Sequence, residues 1–266
     1  MKRWTKLGLG TILAGSALAA CNSGTDADKP ENPEGIEAVA SPGAGGEGEG
    51  GVSIEDAATN SVVYNSALAI AEAHVLAARD AYAIGENMAA AEMFAHPVSE
   101  VLHDMQPIFR KQGVEDFNAL LTEASAAALA GQSISRINAQ TDRILAVLRA
   151  ASQKNPDDGK SDLAIAGSVA ADQINRAANM YHAALESGQY EPYLDGYGFF
   201  KAGEAAFVRV ESDLEARDAK AAEAMRSALA LLSAAYPDAR RPKKLKADAS
   251  QLIASASRVT LAISNL

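Results

Sequence analysis

From Val52 onward, apolar positions recur at the three- and four-residue spacing of a helix, and no run shows the two-residue alternation of a strand. Ser53, with Asp56 three residues later, is positioned to cap a long helix running to about Ile84, where Gly85 breaks it. A second segment is predicted from about Asn87 to Gln112, with Pro97 and Pro107 inside it and Gly113 at its end. Asp116 to Leu129 and Ser133 to Ser152 supply a third and a fourth. Asn155-Pro156-Asp157-Asp158-Gly159 is the clearest turn cluster. Beyond it, helices are predicted at about 161–187, 196–217, 219–235 and 246–264, separated by Gly188, the Pro192–Gly198 stretch and the Pro237 to Pro242 region.

The body is therefore predicted to be all-α, as paired antiparallel helical bundles of about eight helices with halves near 52–155 and 160–266. A shift of 103 residues brings Gly85 onto Gly188, Glu92 onto Asp195, Phe94 onto Tyr197 and Leu129 onto Leu232. That rhythm suits an internal duplication, although alanine-rich helices also match in register by composition alone.

The first 51 residues follow a different pattern. Lys2, Arg3 and Lys6 precede an apolar run from Leu7 to Ala20, which at about 14 residues is shorter than the roughly 20 needed to span a bilayer. Leu18-Ala19-Ala20-Cys21 fits the bacterial lipobox, so residues 1–20 read as a lipoprotein signal peptide and Cys21 as the acylated N-terminus of the mature chain. Asn22, rather than Asp, follows the cysteine, which favours sorting to the outer membrane, with the domain facing the periplasm. Residues 22–51 hold eight Gly, three Pro and seven Asp/Glu, with no aromatic residue. Such a segment buries too little apolar surface to offset its ordering entropy and reads as a tether, with a mean reach of roughly 30 Å as a Gly-rich coil.

Composition narrows the function. With 24 Lys+Arg against 34 Asp+Glu, the formal charge is −10, and removal of the signal, which carries three Lys/Arg and no Asp/Glu, brings it to −13. A nucleic-acid surface needs a basic footprint, so no nucleic-acid partner is expected. The single Cys excludes an internal disulfide framework and a thiolate zinc cluster. No Gly-x-Ser-x-Gly, Walker A or His-Glu-x-x-His occurs in the body, and no enzymatic activity is predicted. The basic run Arg240-Arg241-Pro242-Lys243-Lys244-Leu245-Lys246 reads as a solvated loop or as a contact for lipid headgroups or an acidic partner.

The histidines are His74, His96, His103 and His182. On a straight helix Glu92, His96, Glu100 and His103 share one stripe, and imidazole with carboxylate four residues on is a workable pair of metal ligands. Phe94, Val98, Val101 and Met105 mark the opposite, core-facing side. The stripe is then either a solvated polar face or a metal site facing the other half of the molecule. His74 lies on an apolar face with Ile70, Ala67, Ala78 and Ala81, as a core histidine or, if that face meets the second helix near His96, as a ligand. His182 and Glu186 read as a surface pair. Tyr193, Tyr197 and Phe199 lie in an aromatic segment that either covers the end of the core or lines a crevice, where Asp195 and the phenols could offer oxygen ligands.

His96-Pro97-Val98-Ser99-Glu100 on an early helix, with Tyr193-Leu194-Asp195 leading into Gly198-Phe199 on a later one, resembles the imelysin-like periplasmic proteins. That group includes the iron-regulated imelysins and the periplasmic component of Efe-type iron uptake. The resemblance spans roughly residues 55–265 in helix order and implies paired helical bundles on an envelope lipoprotein linked to iron acquisition. The family signature is Gly-x-His-x-x-Glu; here Ala95 precedes His96, Pro97 follows it, and three residues separate His96 from Glu100. The expected metal ligands are His96 and Glu100, with His74, Glu92 or Asp195 completing the set. A mixed histidine and carboxylate set suits Fe, Zn or Mn. The competing expectation is a non-catalytic interaction module that docks an envelope protein partner and has no metal site.

Overall fold

The computed structural model describes residues 51–264 and Leu266. The expected signal peptide, the expected lipidation site Cys21 and the expected tether before Gly51 lie outside the described residues. Among the described residues every regular element is helical, and the all-α expectation holds.

The order is α1 (Ile54–Ala57), α2 (Ser61–Ala83), α3 (Asn87–Pro97), a π-helical turn (Val98–Leu102), α4 (His103–Lys111), α5 (Asn118–Leu129), α6 (Ile134–Ser152), α7 (Asp162–Ser187), α8 (Glu191–Arg217), α9 (Ala219–Ala235) and α10 (Ala249–Ile263). The sequence of long helix, glycine stop, long helix and two shorter helices thus occurs twice. Gly85 and Gly188 each adopt a positive φ, of 89° and 70°, at the stop that follows the first long helix.

Two element boundaries differ from the expectation, each for a local reason. Ser53 caps only α1, its Oγ accepting from Asp56 N, and Asn60 restarts the chain as α2 by accepting from Val62 N and Val63 N. The Pro192–Gly198 stretch is not a break; it lies inside α8. Pro192 falls in the first turn, where no amide donor is required, and Gly196 and Gly198 sit where neighbouring chain comes too close for a side chain. A Cβ on Gly198 would stand 2.5 Å from Ala73 O, and one on Gly196 would stand 1.9 Å from the Tyr236 hydroxyl oxygen.

α2 forms the centre of the body. It packs against α3 and α6 from its own half and against α7 and α8 from the other, so the two halves share a core. Its run of alanines, with Tyr64, Ile70 and Val75 wholly buried, explains why a helix this apolar is needed there. It is long and apolar enough to cross a bilayer, but 89% of its most apolar stretch is buried inside the protein. The start of α2 is fixed to the turn between the halves, where Asp158 accepts from the Ser61 amide at 3.1 Å and from the Ser61 hydroxyl at 2.8 Å. Lys160 and these two donors hold the Asp158 carboxyl well below the usual carboxylate range.

Candidate metal centre

The site is assembled from three helices that meet at the middle of α2. His74 lies on the side of α2 that the close approach at Gly198 brings against α8, and it is 1% exposed. Its Nδ1 is 2.8 Å from Ile70 O. A carbonyl can only accept, so Nδ1 carries the proton and, in the neutral ring, Nε2 carries the lone pair. Burial pushes the imidazole down to about 4; the Ile70 carbonyl opposes this, and the charges of His96 and Arg176 reinforce it. His74 is therefore neutral near pH 7, the form that ligates metals. A backbone carbonyl holding the other ring nitrogen is a common outer support of a ligating histidine.

Nε2 of His74 points at carboxylates. It lies 3.6 Å from Asp195 Oδ1 and 3.4 Å from Glu100 Oε2, and it makes no hydrogen bond. Asp195 reaches this point from the first turns of α8, one turn before Gly198, and is itself 1% exposed. Glu100 reaches it from the π-helical turn and spans both rings, since its other oxygen, Oε1, is 3.5 Å from His96 Nδ1. The rings of His74 and His96 stand edge to face with centroids 5.8 Å apart. One ligand atom from each of His74, His96 and Asp195 lies within 4.8 Å of the other two, so these residues could hold a metal ion. Ligand bonds of about 2.0–2.2 Å need each side chain to close in by less than about 1 Å.

The π-helical turn explains why His103 parts from the stripe that His96 and Glu100 share. Pro97 has no amide hydrogen to give the preceding turn, and the backbone widens over Val98–Leu102, with His103 N bonded back to Val98 O. The wider turn keeps Glu100 above His96 and rotates the following residues back by about one position. Leu102 and Phe109 consequently join Val101 and Met105 in the core, and His103 turns to solvent. Glu92, at the other end of the stripe, is exposed and stands outside the metal-competent group.

The aromatic residues divide between wall and core. Phe199 meets His74 edge-on at 5.8 Å, and the Arg176 guanidinium lies over the Phe199 ring with Cζ 5.8 Å from its centroid. The phenols of Tyr193 and Tyr197 are engaged elsewhere. Tyr193 donates to Asp238 O at 2.9 Å within a cluster with Tyr236, and Tyr197 donates to Asp80 Oδ2 at 2.8 Å. Neither presents an oxygen ligand to the histidines.

Two residues of the surroundings went unrecognised in the sequence. Glu191 Oε1 lies 3.8 Å from His96 Nε2 on the exposed side of the site, and Arg176 contributes positive charge near His74. Glu191 was hidden because the segment before residue 196 read as a break. Arg176 showed only a helix-surface spacing with Asp172, to whose Oδ2 its Nε donates at 3.0 Å. His182 makes the expected exposed pair with Glu186, Nδ1 to Oε2 3.6 Å.

The low proton affinity of His74 has a consequence for the metal-free protein. In the unfolded chain the ring takes up a proton near the ordinary value of 6.5, while in the folded chain it resists until about 4. Stability contributed by this group is thus constant above about 6.5, falls as the pH drops from there to about 4, and levels off below; the full loss is about 3 kcal/mol. Urea denaturation of the chelator-treated chain at pH 7.5 and 4.5 checks this, and a His74→Leu chain should lack that part of the pH dependence.

No family model matches the chain, and neither a curated protein nor a solved structure matches it.

Proposed function

We propose that this chain is a lipid-anchored envelope protein whose helical body binds a first-row divalent metal ion and serves metal acquisition as a non-catalytic accessory. The lipobox at Cys21 and the acidic tether support the anchor, with the body on the periplasmic side of the outer membrane. The imelysin-like resemblance of His96 to Glu100 and of Tyr193 to Phe199 supports an iron-type role.

One observation carries the metal reading: a buried neutral His74 presents its lone pair to the same point as His96 and Asp195, with Glu100 across both rings. Nitrogen and carboxylate donors without thiolate suit Fe, Mn or Zn over softer ions. Calorimetric titration of the full chain with Zn²⁺, Mn²⁺ and, under anaerobic conditions, Fe²⁺ tests it. Saturable one-to-one binding is expected for at least one ion, with His96→Ala weakening it by about tenfold to a hundredfold. No binding, or binding unchanged in His96→Ala, would leave the interaction-module reading in its place.

A further inference from the structure

Glu72 is two residues from His74 on α2 and therefore points about 200° away from it, to the opposite side of the helix. There α2, α6, α7 and α8 line a solvent-open cavity of about 380 Å³. Its α2 wall is Asn65, Leu68, Ala69 and Glu72, one continuous helical face. Leu68, Ala69, Val169 and Ala206 make a buried apolar lining, whereas Arg149 and Arg209 lie where the cavity meets solvent.

The chemistry of Glu72 sets this cavity apart from a packing defect. The residue is 8% exposed, and its Oε1 is buried and accepts no hydrogen bond. The nearest cationic atom is Arg209 Nη1 at 3.7 Å, on a side chain that is 48% exposed. Oε1 is ion-paired with a half-exposed guanidinium but accepts no hydrogen bond, which leaves its lone pairs open to a donor. The cavity thus presents a buried acceptor beside the Arg209 guanidinium, a lining in which Leu68, Val169 and Ala206 alternate with polar groups such as Asn65 and Asp162, and the Arg149 guanidinium at its edge.

We propose that this cavity binds a small zwitterion with an apolar body, of the size of a dipeptide of aliphatic amino acids. The ligand's ammonium donates to Glu72, its aliphatic side chains rest on Leu68, Val169 and Ala206, and its carboxylate is taken by Arg209, with Arg149 adjacent. A volume near 380 Å³ falls within the range of small-molecule sites. The site shares no residue with the metal centre, and its occupancy is independent of the metal.

The test is calorimetric titration of the full chain with L-leucyl-L-leucine, alongside N-acetyl-leucyl-leucine, which lacks the ammonium, and leucyl-leucinamide, which lacks the carboxylate. Saturable binding of the dipeptide is expected, weakened by about tenfold or more by acetylation, by Glu72→Gln and by Arg209→Gln, and unchanged by chelator. Absence of saturable binding at millimolar dipeptide overturns the proposal, as does acetylated peptide binding as tightly as the free amine. If Glu72→Gln fails to fold, as judged by circular dichroism, the comparison of the two peptides on the unaltered chain decides.

Discussion

Alanine at Gly198 is expected to lower the stability of the body by about 2–3 kcal/mol and to weaken metal binding by tenfold or more. The added Cβ would lie 2.5 Å from Ala73 O, 3.0 Å from Ala73 C and 3.0 Å from Ala77 Cβ. The two closest atoms belong to the α2 backbone and cannot swing aside as the end of a flexible side chain would. The helix propensity of alanine returns about 1 kcal/mol, which the clash exceeds. Relief comes only by moving α8 off α2, and that displacement carries Asp195 away from His74. Gly203→Ala is the control: its Cβ would meet Gln173 Cβ at 3.3 Å, which a shift of a few tenths of an ångström relieves, and it lies about 12 Å along α8 from Asp195. Urea denaturation and metal titration of both variants separate these effects. A Gly198→Ala chain as stable and as competent for metal as the original would contradict the role given to this contact.

The second large effect is expected at His74, where function and stability should move in opposite directions. His74→Leu should weaken metal binding by a hundredfold or more, since it removes the ligand that anchors the site at depth. The metal-free chain should lose no stability and gain below pH 6, where the unfolded imidazole takes up a proton that the buried one refuses. Ile70 O does not lose its main partner, because in a helix it also accepts from the His74 backbone amide. A structural histidine would behave differently, with a net loss of stability at neutral pH. Thermal denaturation with and without metal reads both arms.

The helical architecture was legible because its punctuation is local. Gly85, Gly113 and Gly188 stop helices through backbone conformations that glycine alone adopts readily, and Ser133 and Ser161 cap α6 and α7 through their own hydroxyls. The start of α8 was not legible, because Pro192, Gly196 and Gly198 are helix-breaking types whose roles here depend on tertiary packing. Proline is tolerated in the first turn, and the glycines answer to Tyr236 and Ala73, distant in sequence. The covering of the start of α2 by Asp158, 97 residues away, was likewise invisible to a local reading.

The candidate site was legible in its membership more than in its arrangement. His74, His96, Glu100 and Asp195 were singled out by residue type and spacing, and the structure brings all four together. The straight-helix stripe misled about His103, which faces solvent because the π-helical turn after Pro97 shifts the phase beyond Glu100, and about Glu92, which shares the α3 face with His96 but sits a full turn further from the ligands and is exposed. The phenols of Tyr193 and Tyr197 matched a ligand chemistry, but their direction depends on α8 beginning at Glu191 and on partners at Asp238 and Asp80.

Anomalous diffraction from crystals of the full chain loaded with zinc, recorded on both sides of the metal absorption edge, tests the central claim most directly. The account predicts a strong peak between α2, the start of α8 and the π-helical turn, within about 2.0–2.2 Å of His74 Nε2, a ring nitrogen of His96 and an Asp195 oxygen. A zinc peak only at surface carboxylates or at His182, with His74 still bonded solely to Ile70 O, would contradict it.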